Sequence, residues 1–123
     1  MDYETFERKV GERAGVSQEQ AGELIRATLE TLADRVTAGE AHDVASQLPP
    51  PAKEWLVSSE PEAERFGLDE FIRRVSERAG VPPGEARTGA QAVLATLRQA
   101  ITGGEFRDLM SQLPREFSEL VGA

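Results

Sequence analysis

The sequence predicts an all-α protein in which two tandem copies of a roughly four-helix unit pack as one compact helical bundle. Apolar residues recur at spacings of three and four along most of the chain, which is the period of a helix with one buried face. No segment alternates between apolar and polar residues, so no strand is predicted. Short helices joined by tight links favour a bundle.

An internal repeat supports the two-copy arrangement. Shifting the chain by 65 residues aligns two long stretches without a gap, and 22 of 51 aligned positions are identical. The segment between the copies is mostly polar and contains a proline, as expected for a linker. The predicted organisation is a first helical unit, a linker and a second helical unit, at residues 1–57, 58–66 and 67–123.

The first helix of each unit is followed by a glycine. Phe6 and Val10 lie on one face of a helix predicted over Tyr3–Ala14. Gly15 comes next, and Gly80 holds the same place in the second unit. Glycine readily adopts the left-handed conformation with which many helices end, so both helices are expected to end here.

The second helix begins differently in the two units. In the first unit Ser17 and Gln20 have the spacing of a capping box, in which each side chain satisfies a free backbone N–H. In the second unit Pro82 and Pro83 open the helix instead, and proline suits a first helical position.

The long second helix of the second unit has smaller side chains on its apolar face than its counterpart in the first unit. Gly89 and Ala90 stand where the first unit has Leu24 and Ile25. Either another helix approaches more closely at this face, or a shallow groove remains there. The sequence leaves both alternatives open.

The third helix of each unit begins with the pattern Thr-x-x-Glu, which is also that of a capping box. The pairs are Thr37 with Glu40 and Thr102 with Glu105. A proline ends each of these helices, and a short fourth helix is expected after it.

The repeated pattern also resembles a known family. Each unit reads as Phe-x3-Val, Glu-Arg-Ala-Gly, an alanine- and leucine-rich helix, Gly-Glu and Gln-Leu-Pro. This pattern is similar to that of the bacterial domain-of-unknown-function family 2267. The resemblance covers most of the chain, from Phe6 to Leu56 and from Phe71 to Val121. It implies a small helical protein and no established activity.

Composition limits the classes of function. The net charge is −8 and the only lysines are Lys9 and Lys53, whereas nucleic-acid binding needs clustered lysine and arginine. The absence of cysteine excludes disulfides and thiol nucleophiles. No apolar run reaches the roughly 20 residues that span a bilayer, and the acidic N-terminus does not resemble a signal peptide. We therefore expect a cytoplasmic protein that binds neither nucleic acid nor membrane.

No catalytic, cofactor-binding or metal-binding set is predicted. The single histidine, His42, is interpreted as a surface residue, because Asp43 beside it points to another helix face and Glu40 already has a capping role. The acidic linker residues Glu60, Glu62 and Glu64 are interpreted as a solvated cluster.

Four residues are candidates for binding a partner. Arg73, Arg74 and Arg78 place positive charge on the first helix of the second unit. They are suited either to docking an acidic partner or to pairing with nearby carboxylates on a solvated face. Phe66 lies outside the repeated apolar stripe, so it either pins the linker to the core or is exposed for a partner.

The preferred functional interpretation is a non-catalytic protein-interaction module that binds another protein or itself. Its basis is a pair of similar scaffolds with different charge, a net of −7 for residues 1–65 and −1 for residues 66–123. One alternative is a small-molecule binder or minor enzyme with a pocket near Gly89 and Ala90. The other is a structural homo-oligomer.

Overall fold

A computed structural model describes residues 1–122, and within this range every regular element is helical. The all-α prediction is therefore confirmed, while the last residue of the predicted second unit lies outside the described range. The elements are α1 (Tyr3–Ala14), α2 (Gln18–Arg35), α3 (Ala38–Ala45), α4 (Ala52–Trp55), α5 (Leu68–Ala79), α6 (Pro83–Ala100), α7 (Gly103–Ser111) and a 3₁₀ helix (Arg115–Glu119). None of the helices among these residues has the length and apolar character needed to cross a membrane.

The structure has helices that end at the predicted glycines and begin at the predicted N-terminal residues. Gly15 and Gly80 have φ angles of 70° and 69°, in the left-handed region that favours glycine. At the start of α2 the Ser17 hydroxyl oxygen accepts a hydrogen bond from the Gln20 N–H at 3.1 Å, whereas the return bond from the Ser17 N–H to the Gln20 side chain is not formed among residues 1–122. The helix α6 begins at Pro83, as its sequence predicts.

The fourth helical segment differs between the two units. In the first unit α4 is a short α-helix, but in the second a 3₁₀ helix follows Pro114. Its N–H groups bond three residues back, from Phe117 to Pro114 at 2.9 Å and from Leu120 to Phe117 at 3.0 Å. Phe117 is fully buried, edge-on to Phe71 with ring centroids 5.0 Å apart, so this tighter turn places a large side chain in the core.

The two 18-residue helices α2 and α6 form the centre of the molecule and contact each other. Helix α1 packs against both α2 and α6, and α5 likewise packs against both. Helix α3 packs against α7, and α4 packs against α2 and α3. Buried apolar residues from all these helices belong to one connected cluster, so the two halves of the chain share a core.

Hydrogen bonds between the halves occur in matching pairs. Arg13 Nη1 donates to Thr96 Oγ1 at 2.7 Å, and Arg78 Nη1 donates to Thr31 Oγ1 at 2.8 Å. Each residue of the first bond has its counterpart 65 positions away in the second bond. Both threonine hydroxyls are buried and donate to a backbone carbonyl four residues back, so each buried hydroxyl has both a donor and an acceptor partner.

Leu24 of α2 packs directly onto Gly89 of α6. Both residues are buried, and a Cβ atom at position 89 would lie 2.5 Å from Cδ2 of Leu24 and 2.9 Å from Cδ1. Glycine is therefore favoured at position 89, because a larger residue would force the buried Leu24 side chain or the backbone to shift. Of the two alternatives for the face of α6 with the smaller side chains, the closer approach of another helix is the one observed.

We predict that Gly89→Ala destabilises the protein by about 1–2 kcal/mol, because the overpacking against Leu24 exceeds the gain in helix propensity. Gly84→Ala is the matched control on the same helix, since no atom lies within 4 Å of a Cβ there. It is expected to leave stability unchanged or raise it by up to about 1 kcal/mol. Urea unfolding of both variants measures these differences.

The cause can be isolated by repeating Gly89→Ala in a Leu24→Ala background. Once the leucine side chain is shortened, the same glycine replacement should become neutral or stabilising. An unchanged penalty in that background would show that contact with Leu24 is not the reason for glycine at position 89.

Candidate functional site

The structure brings the predicted partner-binding residues Arg74 and Phe66 into contact. The Arg74 guanidinium lies 4.1 Å from the centre of the Phe66 ring. It also pairs with Asp34 and Glu64 at 3.1 Å and with Glu70 at 2.8 Å, and its side chain is only 23% exposed. Arg74 therefore joins α2, the predicted linker and its own helix.

The other two predicted arginines are also engaged within the chain. Arg78 lies 2.8 Å from the Asp34 carboxylate, and Arg73 pairs with Glu70 and Glu77 on its own helix. The hydrogen bonds from Arg73, followed by those from Arg74, lower the pKa of Glu70 to about 2. These contacts are the ones expected of a solvated helix face and a pinned linker. Binding of a partner by this cluster stays a prediction.

A groove of about 510 Å³ opens beside α3 in the first unit. One wall is the outer face of α3, and the other is α4 with the three residues after it. Its lining residues are Ala38, His42, Ala45, Ser46, Lys53, Glu54, Leu56, Val57 and Ser58. The volume is in the range that holds a small ligand or a few side chains of a partner.

The groove is lined mainly by apolar atoms. Val57, one of its lining residues, is 67% exposed, an unusual exposure for a large apolar side chain in this protein. The exposed side chains of His42, Lys53 and Glu54 also line it. Lys53 makes no ion pair within residues 1–122, so its ammonium is available to a ligand in the groove.

The predicted capping boxes at the N-termini of α3 and α7 are only half formed. Thr37 Oγ1 accepts from the Glu40 N–H, as predicted, but the Thr37 N–H donates to Gln112 Oε1 at 2.9 Å rather than to Glu40. In the second unit the Thr102 N–H likewise donates to Gln47 Oε1, at 2.8 Å. The capping prediction was therefore wrong for the glutamate side chains, because a glutamine from the other unit takes their place.

The two displaced glutamates meet. Glu40 is only 8% exposed, and one carboxylate oxygen each of Glu40, Glu105 and Asp43 lies within 4.8 Å of the other two. Burial raises the pKa of Glu40 to about 8, with smaller contributions from the adjacent Glu105 carboxylate and from Asp108 and Asp43. Among residues 1–122 the buried side-chain oxygens without a hydrogen-bond partner are Oε2 of Glu40, Oε2 of Glu105 and Oγ1 of Thr28.

Sequence reasoning missed this carboxylate cluster. The residues of the cluster recur at an offset of 65, since Glu40 corresponds to Glu105 and Asp43 to Asp108. They come together because α3, which carries Glu40 and Asp43, packs against α7, which carries Glu105 and Asp108. The available signal was therefore the repetition of the acidic pair, but the local pattern assigned each glutamate to its own helix N-terminus.

Comparison with protein families shows that residues 3–120 match the family of the uncharacterized conserved protein DUF2267. The match covers nearly the whole chain, as the resemblance in the repeated pattern implies. A comparison with curated proteins finds no match.

The raised pKa of Glu40 predicts a specific pH dependence of stability. Between pH 4.5 and about 8 the unfolded chain releases the Glu40 proton while the folded protein retains it, so stability falls as pH rises through this window. Glu40→Gln cannot titrate. We subtract the free energy of unfolding of wild type from that of Glu40→Gln at each pH. We expect this difference to be more than about 1 kcal/mol larger at pH 8 than at pH 5.

Urea unfolding with a chelator present, at both pH values, measures this difference. Glu85→Gln, an exposed first-turn glutamate of α6, is the control and should show no comparable change. A Glu40→Gln difference that is the same at pH 5 and pH 8 would contradict the prediction.

Proposed function

We propose that this chain, which belongs to the uncharacterized conserved protein family DUF2267, is a non-catalytic protein-interaction module. The observation that carries the proposal is the apolar groove beside α3, with the exposed Val57 in its lining. An exposed apolar surface with a polar rim is typical of a site that another molecule covers.

The chemistry of the groove indicates the kind of partner. Two helical walls lined mainly by apolar atoms suit the apolar face of an amphipathic helix, which inserts side chains at helical spacing. Lys53 in the lining favours a carboxylate on that partner helix. We therefore propose a partner segment with apolar anchors and at least one acidic residue beside them.

We also propose that the two units are related by an approximate twofold rotation. The hydrogen bonds of Arg13 with Thr96 and of Arg78 with Thr31 support this arrangement, because a rotation that exchanges the two units converts one bond into the other. The groove belongs to the first unit in this scheme. The equivalent region of the second unit is built differently, because the buried Phe117 stands where the first unit has Ala52.

The structure supports the alternative functions to different degrees. A pocket at Gly89 and Ala90 is disfavoured, because Leu24 fills the space that the smaller residues leave. A homo-oligomer remains a second proposal without a specific contact of its own. The cluster of Arg73, Arg74, Arg78 and Phe66 is a second docking proposal, but its charges already have partners within the chain.

Two serine substitutions test the groove. Ser46→Arg places a long charged side chain in the groove, whereas Ser111→Arg makes the same change at the equivalent position of α7, which does not line it. Both serines are exposed and donate to a backbone carbonyl three residues back, at 2.7 and 2.6 Å, so the two variants lose the same hydrogen bond.

In a pull-down from lysate of the source organism, we expect wild type and Ser111→Arg to retain the same protein. Ser46→Arg should retain it at least about tenfold less, since a blocked anchor site costs more than about 1.4 kcal/mol. Circular dichroism of each variant checks that it is folded. Equal retention by both variants, or no specific retention by wild type, would refute the groove as the binding site.

A further inference from the structure

The carboxylate cluster between α3 and α7 has the composition of a cation site. Glu40 and Glu105 are each the third residue of their helix, and Asp43 lies three residues further along α3. One oxygen from each of the three lies within 4.8 Å of the other two. Two oxygens on opposite sides of a Ca²⁺ ion, each at about 2.4 Å, are about 4.8 Å apart, so the three oxygens are close enough together to share one such ion.

An independent observation points to a ligand at this place. Glu40 is more than nine-tenths buried, and its Oε2 atom has no hydrogen-bond partner in the protein. The same is true of Oε2 of Glu105. A buried carboxylate oxygen without a partner is costly, so such oxygens in a folded protein call for a bound proton, water or cation.

The surrounding contacts keep the carboxylates free. The backbone N–H groups of Thr37 and Thr102, which these glutamates would normally accept from, are occupied by the side chains of Gln112 and Gln47. The protein thus uses a residue from the other unit for each cap. The two glutamates are left facing each other across the contact of α3 with α7.

We propose that Glu40, Asp43 and Glu105 bind one hard divalent cation of the Ca²⁺ or Mn²⁺ class. Oxygen ligands alone are what such ions prefer, and water completes their coordination. The ion would link α3 of the first unit to α7 of the second. Because the site lacks a dedicated binding loop, we expect a dissociation constant of about 10⁻⁴ M.

Titration with MnCl₂ at pH 8, followed by the electron paramagnetic resonance signal of free Mn²⁺, tests the proposal. We expect one saturable site in wild type and at least tenfold weaker binding in Glu105→Gln, whose amide can still donate to the Glu40 carboxylate. Glu19→Gln removes the same charge from the exposed first turn of α2 and should bind as wild type does. Competition by CaCl₂ should release the bound Mn²⁺.

Asp43→Asn provides a second test at an exposed ligand, where a folding defect is not expected. Its binding should weaken at least fivefold. The proposal is overturned if wild type shows no saturable site at pH 8, which would leave a shared proton as the occupant. Equal binding by Glu105→Gln, Asp43→Asn and Glu19→Gln would also overturn it.

Discussion

The close approach of the two central helices, at Leu24 on Gly89, is the constraint on which the rest of the fold depends. A larger residue at position 89 would require either the Leu24 side chain or α6 itself to shift. Helices α1 and α5 each pack against both central helices, so a shift of α6 would also alter their packing. The hydrogen bonds from Arg13 to Thr96 and from Arg78 to Thr31 tie α1 to α6 and α5 to α2.

The proposed twofold relation explains why residues 65 apart meet at the centre. Leu24 and Gly89 are equivalent positions, and their contact is tolerated because they have diverged into a large and a small residue. Glu40 and Glu105 are also equivalent, but they have remained identical. Two identical acids that meet in a buried place repel each other, so a proton or a cation is needed between them. The proposed twofold relation thus gives the packing constraint and the carboxylate cluster the same geometric origin.

The sequence was sufficient to predict local structure but not the contacts between the units. Helix ends at Gly15 and Gly80 and the threonine caps of α3 and α7 depend on neighbouring residues, and the structure has them as predicted. The partner of the Thr37 N–H is Gln112, which lies 75 residues away, and no local pattern identifies it. For the same reason the sequence could not decide between a close contact and a groove at Gly89.

Among the predicted surface residues, contacts within one helix were likewise predictable, but contacts between helices were not. The spacing of Arg73 and Glu77 allowed an ion pair on one helix to be foreseen. That Arg74 would cover Phe66 and reach Asp34 depends on how α5 packs against α2. The groove beside α3 depends on the path of the chain after α4, where helical periodicity no longer applies.

The two halves share one core, so we expect them to unfold together. The single tryptophan, Trp55, lies in the first unit, whereas far-ultraviolet circular dichroism reports the helices of both. We would measure urea unfolding of the wild-type protein by both signals. We predict one transition with coincident midpoints, because α1 packs on α6 and α5 on α2. A tryptophan transition that is separate from the loss of helix would show that the first half of the chain unfolds by itself, and would contradict cooperative unfolding of a shared core.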